Sequence, residues 1–142
     1  MRRLGLLIAA ALPLSSFVVA APLRQASQDN RALQASISAA TRTPANVARD
    51  KYRHPVETLS FFGVKPTHTV VEIWPGGGWY TEILAPYLAS GGGKLYAVAP
   101  DWGRSGIDKL KAANPALYGS IQVADFPVFD SAGTKVPDGS AD

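Results

Sequence analysis

The chain contains no cysteine, so neither a disulfide framework nor a thiolate zinc site can be built from it. It has only two histidines, His54 and His68, and neither has a second His or a Cys three or four residues away. No metal site is expected. His54 stands before Pro55 and reads as a helix-boundary residue rather than a catalytic one. Ser60, Ser105 and Ser140 lack the glycine-flanked context of a nucleophile elbow, which leaves no hydrolytic triad. Long basic runs are missing too. Fourteen Lys and Arg against eleven Asp and Glu give +3, and without Arg2 and Arg3 the balance is 12 against 11, or +1. Such a chain offers no track along a phosphate backbone, and nucleic acid is not an expected partner. No internal repeat is visible. The 46% apolar content argues against a disordered tail, and 142 residues suit one domain at most.

What is present begins with an address. Arg2 and Arg3 precede an apolar run, Leu4 to Ala21, broken only by Ser15, Ser16 and Pro13. The small residues of Val18-Val19-Ala20-Ala21 offer a cleavage site near Ala20. Residues 1–20 therefore read as a signal peptide. An uncleaved anchor is the other reading, and a membrane would be met only through that segment. Both readings put the remainder outside the cytoplasm, periplasmic or secreted.

Residues 21–42 are rich in Ala, Ser, Gln and Arg, with Leu23, Leu33 and Ile37 too sparse for a core. They read as a flexible, partly helical linker. A helical lead-in is expected over 43–66. Thr43 is its N-cap and Pro44 its first helical residue, and a break falls near His54-Pro55. A second helix, Val56 to Phe62, presents Leu59, Phe61 and Phe62 and ends at Gly63.

From residue 67 onward the pattern alternates. Thr69 to Trp74 is β-branched and apolar around Glu72, and Pro75-Gly76-Gly77-Gly78 breaks it. Trp79 to Leu88 has helical spacing, with Pro86 disturbing its last turn. A strand at Leu95 to Ala99, a helix at Ser105 to Asn114 and a strand near Ile121 to Ala124, ending at Asp125, follow. Strand, helix, strand, helix, strand with short connections predicts an open α/β sheet of parallel strands, Rossmann-like in its right-handed crossovers.

The glycine turn carries the chemistry. Glycine admits positive φ and close approach of a ligand to the backbone, and the helix that follows offers free N–H groups. A tight β-to-α turn without a ligand is the plainer alternative; Glu72, close before the turn, favours a ligand site. Trp74, Trp79 and Tyr80 cluster here, either to cover a bound ligand or to close the core against the Phe61-Phe62 helix.

The run Val70-Val71-Glu72-Ile73-Trp74-Pro75-Gly76-Gly77-Gly78 resembles the first motif of the class I S-adenosylmethionine-dependent methyltransferases. Gly76 and Gly78 fall at the two later glycine positions of that motif, and Trp74 stands where the first glycine would be. The fuller run, from Tyr52-Arg53-His54-Pro55 through Phe61-Phe62-Gly63 to Gly78-Trp79-Tyr80-Thr81-Glu82, is similar to an exported, predicted-methyltransferase subgroup. The resemblance covers about Asp50 to Asp142.

It implies S-adenosyl-L-methionine as cofactor and small-molecule methyl donor. Glu72 would meet the donor's amino-acid end, and the turn formed by Pro75, Gly76, Gly77, Gly78 and Tyr80 its carboxylate and neighbouring parts. A valine at Gly78 is expected to project into ligand space. Asp101 follows the second strand and is either the ribose acid or a surface aspartate. Asp125 is either the adenine acceptor or an Asx turn residue, with Phe126 beside it packing on the ring.

Strand centres near Ile73, Ala97 and Gln122 lie about 25 residues apart. The resembled sheet has seven strands, which calls for on the order of 100 further residues. Residues 67–142 are thus expected to be the first, cofactor-binding half of such a domain, truncated before the fourth strand. The alternative is a non-enzymatic exported binding module on the same fold. No methyl acceptor or catalytic base is legible.

Overall fold

A computed structural model describes residues 20–125 and 135–142. The signal-like run of residues 1–19 and Phe126 lie outside the described residues.

Three strands form one parallel sheet in the order β1-β2-β3: β1 is Thr69–Ile73, β2 is Lys94–Val98 and β3 is Gln122–Ala124. Thr69 pairs with Lys94 and Ile73 with Val98, while Tyr96 pairs with Gln122 and Val98 with Ala124. The ladder runs one residue past the ends of β1 and β2, through Trp74 N–H to Val98 O (2.9 Å) and Ala99 N–H to Ala124 O (3.2 Å). This is the expected mixed α/β, three-stranded open sheet. On the outer edge of β1, Asp142 N–H donates to Thr69 O at 3.1 Å, and Thr69 N–H donates to the Asp142 carboxylate at 2.8 Å.

The helices explain the core. α1 spans Ala20–Ile37, and the lead-in comprises α2 (Pro44–Val47), α3 (Asp50–Arg53) and α4 (Pro55–Phe61). α5 (Thr81–Ala89) connects β1 to β2; α6 (Ser105–Ala113) and α7 (Pro115–Tyr118) connect β2 to β3 after a 3-10 turn at Asp101–Gly103. α5 is buried nearly all round, and its Ile83, Leu84, Tyr87 and Leu88 pack with Leu95, Ala97, Ile107 and Ile121. Pro86 removes one helical N–H without ending the helix, because Ser90 N–H still reaches Pro86 O at 3.1 Å.

Several expectations need correction. Residues 21–42 are not a linker throughout: Ala20–Ile37 is one helix, and its Leu33 belongs to the core. Few apolar residues suffice there because Leu33 and Ile37, four apart, share the face that meets the domain. Thr43 does not cap α2 with its side chain; its hydroxyl and its N–H both donate to Glu82 instead. Phe61 and Phe62 are exposed, so Leu59 alone of the three faces the core. The α3–α4 break falls at His54, which takes φ +45° immediately before Pro55. Among the described residues, no helix is long and apolar enough to cross a membrane.

Candidate cofactor-binding site

β1 ends at Ile73, and the chain turns through Trp74 (φ +58°), Gly76 (φ +54°) and Gly78 (φ +78°) before α5 begins. Gly78 N–H donates to Pro75 O at 2.8 Å, and Glu82 N–H to Gly78 O at 2.9 Å, which joins the turn directly to the helix. Trp74 stands at the first glycine position of the resembled motif and still adopts the left-handed backbone that glycine takes easily. For a bulky residue that conformation is strained, by roughly 1–2 kcal/mol. Its indole lies against Trp102, with ring centroids 4.8 Å apart.

The three glycines differ in what they face. A Cβ on Gly77 would meet nothing within 4 Å, and one on Gly76 only Trp74 O at 3.9 Å. A Cβ on Gly78 would lie 2.6 Å from Leu110 Cδ1. Gly78 therefore faces α6 rather than ligand space, which corrects the expectation for a valine there. The opposite approach is tighter still: a Cβ on Gly106, in α6, would fall 2.0 Å from Gly76 O. α6 thus supports the back of the turn and leaves its front open.

The turn lines a cleft of about 360 Å³ together with Glu72, Ile73, Trp79 and Tyr80, and Arg49 and Arg53 of the lead-in also border it; Trp74, Pro75, Gly76 and Gly77 are the turn residues on its wall. Glu72 is buried, and Thr81 Oγ1 donates to its Oε2 at 2.6 Å. Burial pushes the Glu72 carboxyl up to about 7 against the pull of the Thr81 hydrogen bonds. The cleft thus brings together Glu72, Pro75, Gly76, Gly77 and Tyr80 of the expected cofactor residues.

Asp101 and Asp125 lie elsewhere, beyond the ends of β2 and β3. Arg104 Nη1 is 3.0 Å from Asp101 Oδ1, Nη2 bonds Asp125, and Nε donates to Ala99 O at 3.0 Å. One guanidinium therefore gathers both acids at the carboxyl edge of the sheet. The aromatic cluster divides: Trp79 is core, Tyr80 is half-buried against it at 4.5 Å between centroids, and Trp74 is partly exposed at the cleft.

A buried polar network behind the cleft was not anticipated. Arg42 binds Asp50 bidentately, Nη1 to Oδ2 at 2.6 Å and Nη2 to Oδ1 at 2.9 Å, and Nη1 also donates to Ile37 O. This pairing holds the Asp50 carboxyl below the ordinary aspartate value. Trp79 Nε1 donates to Asn46 O and Asp50 Oδ1, and Asn46 Nδ2 donates to Gly77 O at 3.3 Å. The lead-in is thereby tied to the glycine turn. The one hint in the sequence was a polar, Pro-interrupted segment just ahead of the motif. Compared with protein-family models, curated proteins and solved structures, the chain matches none significantly.

Proposed function

We propose that this chain binds S-adenosyl-L-methionine at the glycine turn, as the cofactor-binding half of a Rossmann-like methyltransferase of the class I type, exported from the cytoplasm. The observation that carries this reading is the turn itself. A buried carboxylate ends β1, three left-handed residues follow, and Gly77 leaves open the space that a side chain would fill. The arrangement suits a ligand that approaches backbone amides closely and presents a positive group toward Glu72.

When bound, S-adenosylmethionine supplies an electrophilic methyl group on a sulfonium, open to in-line attack by an acceptor. The chain's own residues bind and orient. Glu72 accepts from a cationic group, the front of the turn meets the ligand's backbone-facing side, and Trp74 and Pro75 exclude water along one wall. Rate enhancement in such a reaction rests largely on positioning.

A non-enzymatic binding module is the second reading. It draws support from Arg104, which already engages both Asp101 and Asp125. Saturation-transfer NMR with S-adenosylmethionine, S-adenosylhomocysteine and NAD tests the ligand. Transfer to the first two and not to NAD is expected, and absence of transfer from both sulfur ligands removes the cofactor reading. Export is tested separately, by fusing residues 1–30 to a reporter active only outside the cytoplasm.

A further inference from the structure

The peptide between Gly77 and Gly78 is held at both ends. Gly78 N–H donates to Pro75 O at 2.8 Å within the turn. Gly77 O accepts from Asn46 Nδ2 at 3.3 Å, from a helix 31 residues earlier. Asn46 meets the turn twice, because its own backbone O accepts from Trp79 Nε1 at 2.9 Å. One residue thus holds the chain on either side of Gly78, by its side chain at Gly77 and by its main chain at Trp79.

Asn46 is itself fixed. It is 7% exposed, and its backbone N–H donates to Thr43 O at 2.9 Å at the start of α2. Trp79 Nε1 is shared with Asp50 Oδ1 at 3.0 Å, and both oxygens of Asp50 are bound by Arg42. An amide buried in that setting has little rotational freedom, so it also fixes the carbonyl that it binds.

The consequence lies in the glycines. Three in succession leave the backbone more conformational freedom than other residues would. A turn that samples many forms has to be ordered by its ligand, and that ordering weakens binding. Gly76 and Gly77 border the cleft, whereas Asn46 does not. We infer that Asn46 is a positioning residue: through the Gly77 carbonyl it holds the glycine turn in its binding form before the ligand arrives. Affinity at the cleft then depends on a helix outside it. This rests on the S-adenosylmethionine reading above and adds to it the α2 segment, which has no part in the glycine motif.

Calorimetric titration of S-adenosylmethionine into the full chain is compared across three variants. Asn46→Ala deletes the donor and should weaken binding by roughly three- to tenfold, the worth of one neutral hydrogen bond. Asn46→Asp keeps the size but sets a carboxylate against the Gly77 carbonyl, and should weaken it further. Ile121→Val trims the core away from the turn and should leave affinity unchanged at a temperature where each variant is folded. Amide exchange supplies a readout that a general loss of stability would not move. In Asn46→Ala the Gly78 N–H should exchange faster while the amides of β2 keep their protection. Binding by Asn46→Ala as tight as in the unmodified chain, or no weaker than in Ile121→Val, overturns the inference and leaves the cofactor reading standing. Failure of the unmodified chain to bind S-adenosylmethionine overturns both. If Asn46→Ala does not fold, exchange in the unmodified chain decides. A Gly78 amide already protected without ligand supports the preset turn, and one protected only on adding S-adenosylmethionine sinks it.

Discussion

Thr81 Oγ1 donates to Glu72 Oε2 at 2.6 Å, across the bend where β1 passes into α5. The bond ties a strand acid to the first residue of the helix. Because burial raises the folded-state value from 4.5 to about 7, the folded chain holds the proton more tightly than the unfolded chain. The stability this adds is fully present below about pH 4.5 and is lost as pH rises to about 7. The shift corresponds to about 3 kcal/mol, as an order of magnitude. Urea unfolding between pH 5 and 8 should show the fall, and Glu72→Gln should flatten it and be the more stable form at pH 8.

A second expectation separates the glycines. Gly78→Ala forces a Cβ toward Leu110 at positive φ and should cost roughly 1–3 kcal/mol. Gly77→Val projects into open space, so its stability should change by less than about 1 kcal/mol. Its affinity for S-adenosylmethionine should drop, because the side chain enters the cleft. Calorimetric titration beside thermal melting checks both, and equal destabilisation by the two substitutions would contradict the assignment of their faces.

The sheet was legible because Thr69 to Ile73, Leu95 to Val98 and Gln122 to Ala124 are short apolar runs set between turn signals, and local patterning alone specifies them. The turn was legible for the same reason. What was not legible depends on contacts distant in sequence. Arg42 reads as a linker cation until Asp50 and Glu82 surround it, and Gly78 reads like Gly77 until Leu110 arrives from α6. Phe61 and Phe62 look like core on apolarity and lie outside, because the α4 face that meets the domain is set by Leu59. Asp101 and Asp125 could be placed at the sheet edge from spacing, but their shared partner could not.

Trp74 offers a direct measure of backbone strain. Trp74→Ala removes the contact with Trp102 and keeps a Cβ at φ +58°, whereas Trp74→Gly removes both contact and strain. Glycine should therefore be the more stable of the two by about 1 kcal/mol, opposite to its usual entropic disadvantage. Chemical denaturation of the pair checks this. An alanine variant equal to or better than glycine would mean the turn relaxes once the indole is gone.

Arg42 has a side chain with no exposed surface, and its Nε lies 4.0 Å from Glu82 Oε2 while its Nη atoms hold Asp50. Arg42→Met should cost about 3 kcal/mol or more, since it strips the cation from one buried and one partly buried acid. Glu82 keeps its two bonds from Thr43, so the loss should be smaller in an Arg42→Met/Asp50→Asn background. Non-additivity in that double-mutant cycle is the readout.

Arg104 sets the last expectation, because it holds both acids that the methyltransferase resemblance assigns to the nucleoside. Asp101 is almost fully exposed, so its contact with Arg104 is screened, and Asp101→Asn should be neutral for stability. Asp125 and Arg104 are each more than two-thirds buried, and Asp125→Asn should cost about 1 kcal/mol. The functional consequence runs the other way for the arginine. If the acids receive ribose and adenine groups, Arg104 competes with the ligand for them, and Arg104→Gln should bind adenosine several-fold more tightly, a gain of about 1 kcal/mol. Asp125→Asn should bind it more weakly. Should Arg104 instead only brace the ends of β2 and β3, its removal would lower the melting temperature and leave adenosine affinity unchanged or reduced. Titrating adenosine into both variants by NMR, at a temperature where each is folded, decides between a competitor and a brace.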